Sequence, residues 1–233
     1  MSKYTLYSTT FSPFSRKVRF FLDEKGIDYQ LTEIKFWTRD KEFLKLNPAN
    51  EVPVLKNLQT KDVICDSYLI CEYIDEVENN DNELSYFNFL GKNLKEKYEI
   101  QRLHMWFDKI FYNEVSKYFI DETYLNFLKG NKQKQNSVDK INIGLSNLKR
   151  HIQYMEFLLS KRKWLAGEIF SIADIAASTQ LSVLDYIGYI DWNEYQKLKE
   201  WYITIKSKKG FKNMLYEKIS GFQQSEYYSK LDF

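Results

Sequence analysis

Apolar positions follow two different spacings along this chain. In the first third, short strand-like runs alternate with helical stripes. "KYTLYS", residues 3–8, reads as a strand. From Pro13, the apolar residues Phe14, Val18, Phe21 and Leu22 recur at i, i+4, i+7 and i+8, one face of a helix. "KGI" closes that helix, with Gly26 in the C-terminal place that favours glycine. "DYQLTEI" predicts a second strand and "RDKEFLKLN" a short amphipathic helix. "VPVLKN" and "DVIC" predict two strands separated by "LQTK". Asp66 and Ser67 then open a helix whose apolar side is Ile70, Ile74 and Val77. The predicted order is β-α-β-α-β-β-α.

"EVENNDNELS" carries almost no apolar residue and reads as a linker. Beyond it the pattern is helical throughout. One long region covers residues 88–119 and another 138–162, followed by 171–188 and 194–208, with a polar loop at 131–137. No internal repeat is present. The expectation is an α/β thioredoxin-like N-terminal domain (residues 1–78), a linker (79–85) and an all-α C-terminal domain (86–233). Ser171 and Asp174 form a capping-box variant, with Phe170 and Ile175 as its staple, and belong to folding rather than chemistry.

Composition narrows the class. A chain of 233 residues is comfortable for two domains with sizeable cores. Gly and Pro are scarce (8 and 3), so few turns depend on special backbone chemistry and long helices are favoured. A net charge of +2 leaves no electrostatic footprint for nucleic acid. Cys65 and Cys71 are too few for a disulfide framework. "SIADIAASTQLSVLDYIGYI" is the nearest approach to a membrane span, but Asp174, Gln180 and Asp185 interrupt it, so a buried helix is expected. "MSKYTLY" has no signal-peptide apolar core, and the expected location is cytoplasmic with no membrane partner. His104 and His151 stand far apart with no zinc-type spacing, and no Gly-rich nucleotide loop occurs.

The candidate chemistry sits at "TTFSPFSRKVRF", residues 9–20. Ser12 before Pro13 has a structural role as helix cap, accepting an orphan backbone N–H. The β-α-β-α-β-β-α order resembles thioredoxin, whose C-x-x-C would fall on Ser12, Pro13, Phe14 and Ser15. Hydroxyls cannot exchange disulfides, which excludes dithiol redox work at this corner. A hydroxyl there can instead hold a thiolate brought by a ligand. Lowering a thiol pKa from ~8.5 by about 2 units takes roughly 2.7 kcal/mol. A hydrogen bond to the charged sulfur supplies roughly 1.5–3 kcal/mol, and the helix terminus adds ~0.3–1 kcal/mol. The cap and the thiolate readings of Ser12 both stand at this point.

Four motifs in order carry a resemblance to the glutathione transferase superfamily over essentially the whole chain. They are "SPFSRKVRFFLDEKGIDY", "LNPANEVPVL", "CDSYLICEYIDE" and "LAGEIFSIADIAAS". The resemblance implies a glutathione site. Ser12 would face the thiol, with Ser15 the runner-up because some branches place the reactive group at that offset. The Val52 backbone, before a cis Pro53, would pair with the tripeptide. Asp66 and Ser67 would hold the γ-glutamyl end, and an electrophile would sit between the domains. Many active members carry Lys or Gln where this chain has Glu51, next to the glycyl carboxylate. A like charge about 5 Å away costs roughly 1–3 kcal/mol, weakening glutathione by about fivefold to more than a hundredfold. A Glu51 pointing into water would be harmless.

"KFWTRDKEFLKLNPANEVPVL", "RLHMWFDKIFYNEV", "LSVLDYIGYIDWNEY" and "YYSKLDF" resemble a bacterial subgroup of that superfamily. The resemblance implies a homodimeric division protein that binds FtsZ, the tubulin-like division GTPase, without ordinary transferase activity. Trp37 between Lys35 and Arg39 is the candidate anchor for that partner, an aromatic among basic residues. Arg16, Lys17 and Arg19 are expected to add a basic face, and Trp106 to serve packing between domains. The competing reading is an active transferase using Ser12 on a hydrophobic electrophile.

Overall fold

The computed structural model describes residues 2–80, 89–128, 138–219 and 222–231. The described elements are β1 (Tyr4–Ser8), α1 (Pro13–Lys25), β2 (Tyr29–Glu33), a 3-10 turn (Phe36–Thr38), α2 (Lys41–Leu46), β3 (Val54–Asn57), β4 (Val63–Cys65) and α3 (Ser67–Asn80), followed by helices only. The chain divides into two compact units. One is Met1–Asn88 with Lys208–Gly221, and the other is Phe89–Ser207 with Phe222–Phe233.

The first unit is built on a four-stranded sheet in the order β2-β1-β3-β4. β2 runs parallel to β1, with Tyr29 opposite Tyr4, and the intervening helix α1 makes the crossover that a parallel pair needs. β3 is antiparallel to β1, and β4 to β3. Leu6, Val54 and Leu55 of the central strands are fully buried with Val18, Phe21 and Leu22 of α1 and Ile70 and Ile74 of α3. These are the residues the 3.6-residue spacing puts on one helix face. The ends of α1 have local causes. Ser12 accepts the Ser15 N–H, Pro13 fills the first turn, and Gly26 takes the left-handed conformation (φ 70°) while its N–H closes on the Asp23 and Leu22 carbonyls.

Two boundaries differ from the sequence expectation. α3 continues to Asn80, so residues 79–80 of the expected linker are helical, because helix once nucleated propagates through polar residues at little cost. Residues 81–85 and the polar segment 131–137 lie outside the described residues. The second difference is that Lys208–Gly221 belongs with the first unit, not with the helical one. A short helix there, α10 (Lys209–Leu215 after the helices introduced below), packs on α1. Phe211 meets Phe20 edge to face at 5.4 Å. Gly210 permits the approach, since a Cβ there would lie 2.6 Å from the Phe20 carbonyl oxygen.

The second unit begins at α4 (Leu94–Met105), capped by Asn93. Helix continues without a break through a widened π-type segment (Trp106–Ser116), α5 (Lys117–Phe119), a second π-type segment (Ile120–Leu125) and α6 (Asn126–Leu128). Asn113, Thr123 and Asn126 each donate a side chain to the carbonyl four residues back. α7 (Val138–Leu159), α8 (Ile172–Tyr186) and α9 (Gln196–Lys206) complete it. Every residue of α8 is buried, as its unbroken apolar run requires. No described helix is long and apolar enough to cross a membrane. The expected capping box is present: Asp174 accepts from the Ser171 N–H and hydroxyl, each at 3.1 Å. Phe170 packs its ring on Phe89 and Trp164.

Candidate functional site

The corner between β1 and α1 holds both candidate hydroxyls, and they differ in kind. The Ser12 N–H closes on the Thr9 carbonyl at 3.0 Å. Its Oγ accepts the Ser15 N–H at 3.2 Å, and the residue is half-buried. Among the described residues nothing accepts the Ser12 hydroxyl proton, so that proton is available to a ligand. Ser15 is fully buried, and its Oγ accepts the Thr9 N–H at 3.2 Å. It braces the corner and presents no surface to a ligand.

The loop before β3 is tied by two asparagines whose role the sequence did not reveal. Asn47 donates Nδ2 to the Glu51 carbonyl at 2.9 Å and accepts the Ala49 N–H at 3.1 Å. Asn50, at φ 59°, donates Nδ2 to the Phe36 carbonyl at 2.7 Å. Asparagine tolerates this left-handed conformation better than most residues. The Val52–Pro53 bond is cis. Among the described residues the Val52 N–H and C=O have no hydrogen-bond partner, while Val52 is only half-buried. Backbone groups in that state suit pairing with an extended peptide. At the start of α3, Asp66 (φ 75°) turns its carboxylate onto the Tyr68 N–H at 2.7 Å and the Leu69 N–H at 3.4 Å. Ser67 is 3% exposed, and its hydroxyl makes no hydrogen bond among the described residues.

Ser12, Val52 and Ser67 are compatible with glutathione, and Glu51 is the residue that would oppose it. A thiolate can accept a hydrogen bond from the Ser12 hydroxyl, a cysteinyl backbone can pair with Val52, and a γ-glutamyl carboxylate can meet the Ser67 hydroxyl at a helix N-terminus. Glu51 is exposed, and among the described residues no cation pairs with it. A glycyl carboxylate arriving there would meet a like charge. Glu51→Gln is therefore expected to tighten glutathione binding by about fivefold or more in a calorimetric titration. An unchanged dissociation constant would mean that the Glu51 carboxylate stays in water, clear of the ligand.

The three partner-binding candidates are all exposed. Trp37 lies in the 3-10 turn, 36% exposed and edge-on to Phe36 at 5.2 Å. Lys35 precedes the turn and Arg39 ends it in the left-handed conformation, φ 52°. Neither has an ion-pair partner among the described residues. The expected basic face of α1 is corrected: Arg16, Lys17 and Arg19 are buried. Arg16 donates Nε to the Thr10 carbonyl at 2.9 Å and lies over the Phe11 ring. Lys17 lies over Phe14, and Arg19 pairs with Glu217 near α10. Packing around their stems leaves no solvated surface to present.

Trp106 packs within its own unit, donating Nε1–H to His151 Nδ1 at 3.1 Å and tilting against Tyr154. His151 Nε2 lies 2.9 Å from Glu114. Burial pushes the His151 pKa down against the pull of Glu114, and with Nδ1 accepting the Trp106 N–H the ring proton belongs on Nε2, facing Glu114. His104 is likewise buried, with Nε2 2.9 Å from Asp108.

Comparison with known proteins agrees with this geometry. Residues 11–77 match the glutathione S-transferase N-terminal domain, and residues 120–218 the glutathione S-transferase C-terminal domain. The chain is 35% identical over 233 residues to FtsZ-localized protein A of Caulobacter vibrioides, covering 98% of each. Its fold is similar to that of FzlA from C. crescentus (TM-score 0.92, 34% identity, 99% of this chain and 100% of that one). It is also similar to a glutathione S-transferase from Rhodospirillum rubrum (TM-score 0.90, 35% identity, 99% and 100%). A sheet with one parallel edge, a half-exposed serine at its first helix, a proline-headed β3 and an Asp-Ser start to α3 thus coincide with full-length similarity, and the chain belongs to the glutathione S-transferase family.

Proposed function

We propose that this protein is a glutathione S-transferase-like regulator of cell division that docks on FtsZ through Lys35, Trp37 and Arg39. The supporting observation is an exposed Trp on a hydrogen-bonded turn between two cations that have no ion-pair partner among the described residues, in a chain 35% identical along 98% of its length to a protein named for its location at FtsZ. Aromatic residues flanked by Arg dominate the energetics of protein interfaces, and losing a central one costs about 2 kcal/mol or more. The chain should pellet with polymerised FtsZ, and Trp37→Ala should weaken that association by about thirtyfold. Equal pelleting of the two would remove this turn from the interface.

A homodimer belongs to the same reading. On α4, Leu94, Tyr98 and Met105 are all more than half exposed and share one helical face. A second copy would cover that stripe. Light scattering is expected to give the mass of two chains, and Tyr98→Lys to give the mass of one. A monomeric wild type contradicts it.

A second reading is supported by the Ser12 hydroxyl proton and the Val52 backbone, which have no partner among the described residues. Here the chain conjugates glutathione to a hydrophobic electrophile. Ser12 donates a hydrogen bond to the thiolate, Val52 orients the cysteinyl backbone, and the Ser67 hydroxyl anchors the γ-glutamyl end. Glu51 weighs against it. Turnover of a general electrophile that disappears in Ser12→Ala would favour the transferase, and turnover unchanged in that variant would move the role away from Ser12.

A further inference from the structure

Strand β2 is one edge of the sheet, and β4 is the other. Its sequence, Tyr29–Glu33, contains no Lys, no Pro and no bulge, the devices that protect edge strands from foreign pairing. Gln30, Leu31, Thr32 and Glu33 are all exposed, Leu31 at 47%. The direction of the free backbone groups follows from the register. The Ile34 N–H donates to the Ser8 carbonyl at 2.7 Å, so Gln30, Thr32 and Ile34 address β1. Tyr29, Leu31 and Glu33 therefore point their N–H and C=O groups outward, and among the described residues nothing pairs with them.

The charge beside this edge is not balanced among the described residues. β2 leads through Ile34 directly into the turn with Lys35, Trp37 and Arg39. Both cations are exposed and without an ion-pair partner among the described residues. The nearby carboxylates are already engaged. Glu33 accepts from the Thr10 N–H and hydroxyl, each at 3.2 Å. Asp40 accepts from the Glu42 and Phe43 N–H groups at 3.0 and 2.9 Å. The turn is preformed. Thr38 gives both its N–H and its hydroxyl to the Lys35 carbonyl, and Asn50 holds the Phe36 carbonyl.

We propose that β2 accepts an extended, acidic segment of the partner protein as a fifth strand. The segment pairs with the outward backbone of Leu31 and Glu33, sets an apolar side chain on Leu31, and places its carboxylates on Lys35 and Arg39 beside Trp37. Main-chain pairing supplies affinity in this mode, and the alternate side chains supply selectivity. The inference rests on the FtsZ-docking reading above and names how that surface works.

The test is amide hydrogen exchange of the whole chain, alone and with polymerised FtsZ, read beside co-pelleting of edge variants. Binding should slow exchange at Leu31 and Glu33 by about tenfold or more, without slowing Gln30 and Thr32, whose N–H groups already face β1. Leu31→Pro removes one outward N–H, which an edge strand tolerates. It should reduce pelleting by about tenfold. Should that variant fail to fold, Leu31→Lys sets a cation in the apolar contact and should weaken pelleting while leaving the thermal melt unchanged. Unchanged exchange at Leu31 and Glu33 in a chain that does pellet, with Trp37→Ala still defective, would overturn strand addition and leave docking standing. Protection that grows with the chain's own concentration in the absence of FtsZ would overturn it by assigning the edge to a second copy. Failure of the wild type to pellet at all would remove the docking reading and strand addition together.

Discussion

Replacing Lys206 with Ala is expected to cost about 3–5 kcal/mol of stability, as removal of one partner from a buried ion pair does. Lys206 ends α9 with its side chain fully buried. Its ammonium donates to the carbonyls of Tyr227 at 2.8 Å and Lys230 at 3.2 Å, lies 3.4 Å from the Asp185 carboxylate, and sits over the Tyr202 ring. Burial pushes the Lys206 pKa down and the Asp185 pKa up, each against the attraction of the other. Trp192 donates to the second Asp185 oxygen at 2.8 Å. Without the ammonium, the buried Asp185 loses its cation, and the Tyr227 and Lys230 carbonyls lose a donor. The segment from Phe222 onward is also fixed by the Ser225 N–H on the Tyr186 carbonyl and by the fully buried Tyr228 against Tyr186. Lys206→Ala should therefore speed proteolysis within residues 222–231 as well as shift urea denaturation. Lys206→Met combined with Asp185→Asn should cost about 1–3 kcal/mol less than the two changes added together, because the second removes the charge that the first strands. A loss below about 1 kcal/mol for Lys206→Ala would mean that the pair contributes little beyond its packing.

Asp174→Ala is expected to cost about 3 kcal/mol, lowering Tm by about 6–12 °C. Four donors converge on this fully buried carboxylate: the Leu165 N–H and Trp201 Nε1–H on one oxygen, each at 3.0 Å, and the Ser171 N–H and hydroxyl on the other. Burial pushes the Asp174 pKa up to about 6, against the pull of those four hydrogen bonds. The raised pKa is a net cost of about 3 kcal/mol at neutral pH, what remains of the desolvation after the four hydrogen bonds. Alanine removes that cost but strands three fixed N–H donors at about 2 kcal/mol each, while the Ser171 hydroxyl can turn to another acceptor. The difference remains clearly destabilising, and thermal melts at neutral pH check it. A Tm within about 2 °C of wild type would show that water or a relaxed backbone replaces the carboxylate.

What could be read from residues alone was whatever depends on neighbours in sequence. α1 begins and ends where Ser12-Pro13 and Gly26 place it, because caps are local hydrogen bonds and local backbone preferences. The Ser171–Asp174 box is local in the same way, although its reach to Leu165 and Trp201 is not. The charged residues of α1 were misread for the opposite reason. Arg16, Lys17 and Arg19 spell a solvated face, but Arg19 is covered by a partner 198 residues later in the chain. Lys206 was unremarkable in a helical pattern, and only the return of residues 222–231 shows why a lysine stands there. The transfer of Lys208–Gly221 to the first unit has the same origin: Gly210 has meaning only against Phe20. At the candidate site, the place of Val52–Pro53 and Asp66–Ser67 was legible from motif order. The difference between Ser12 and Ser15 was not, because both lie in one short stretch and burial alone distinguishes them.

Pelleting the wild-type chain with polymerised FtsZ, in buffer free of glutathione, tests the docking role most directly. The protein is expected in the pellet together with the polymer, and Ser12→Ala is expected to pellet equally well, since no thiolate chemistry takes part. Retention of the wild type in the supernatant, at concentrations where the polymer is fully sedimented, would contradict that role.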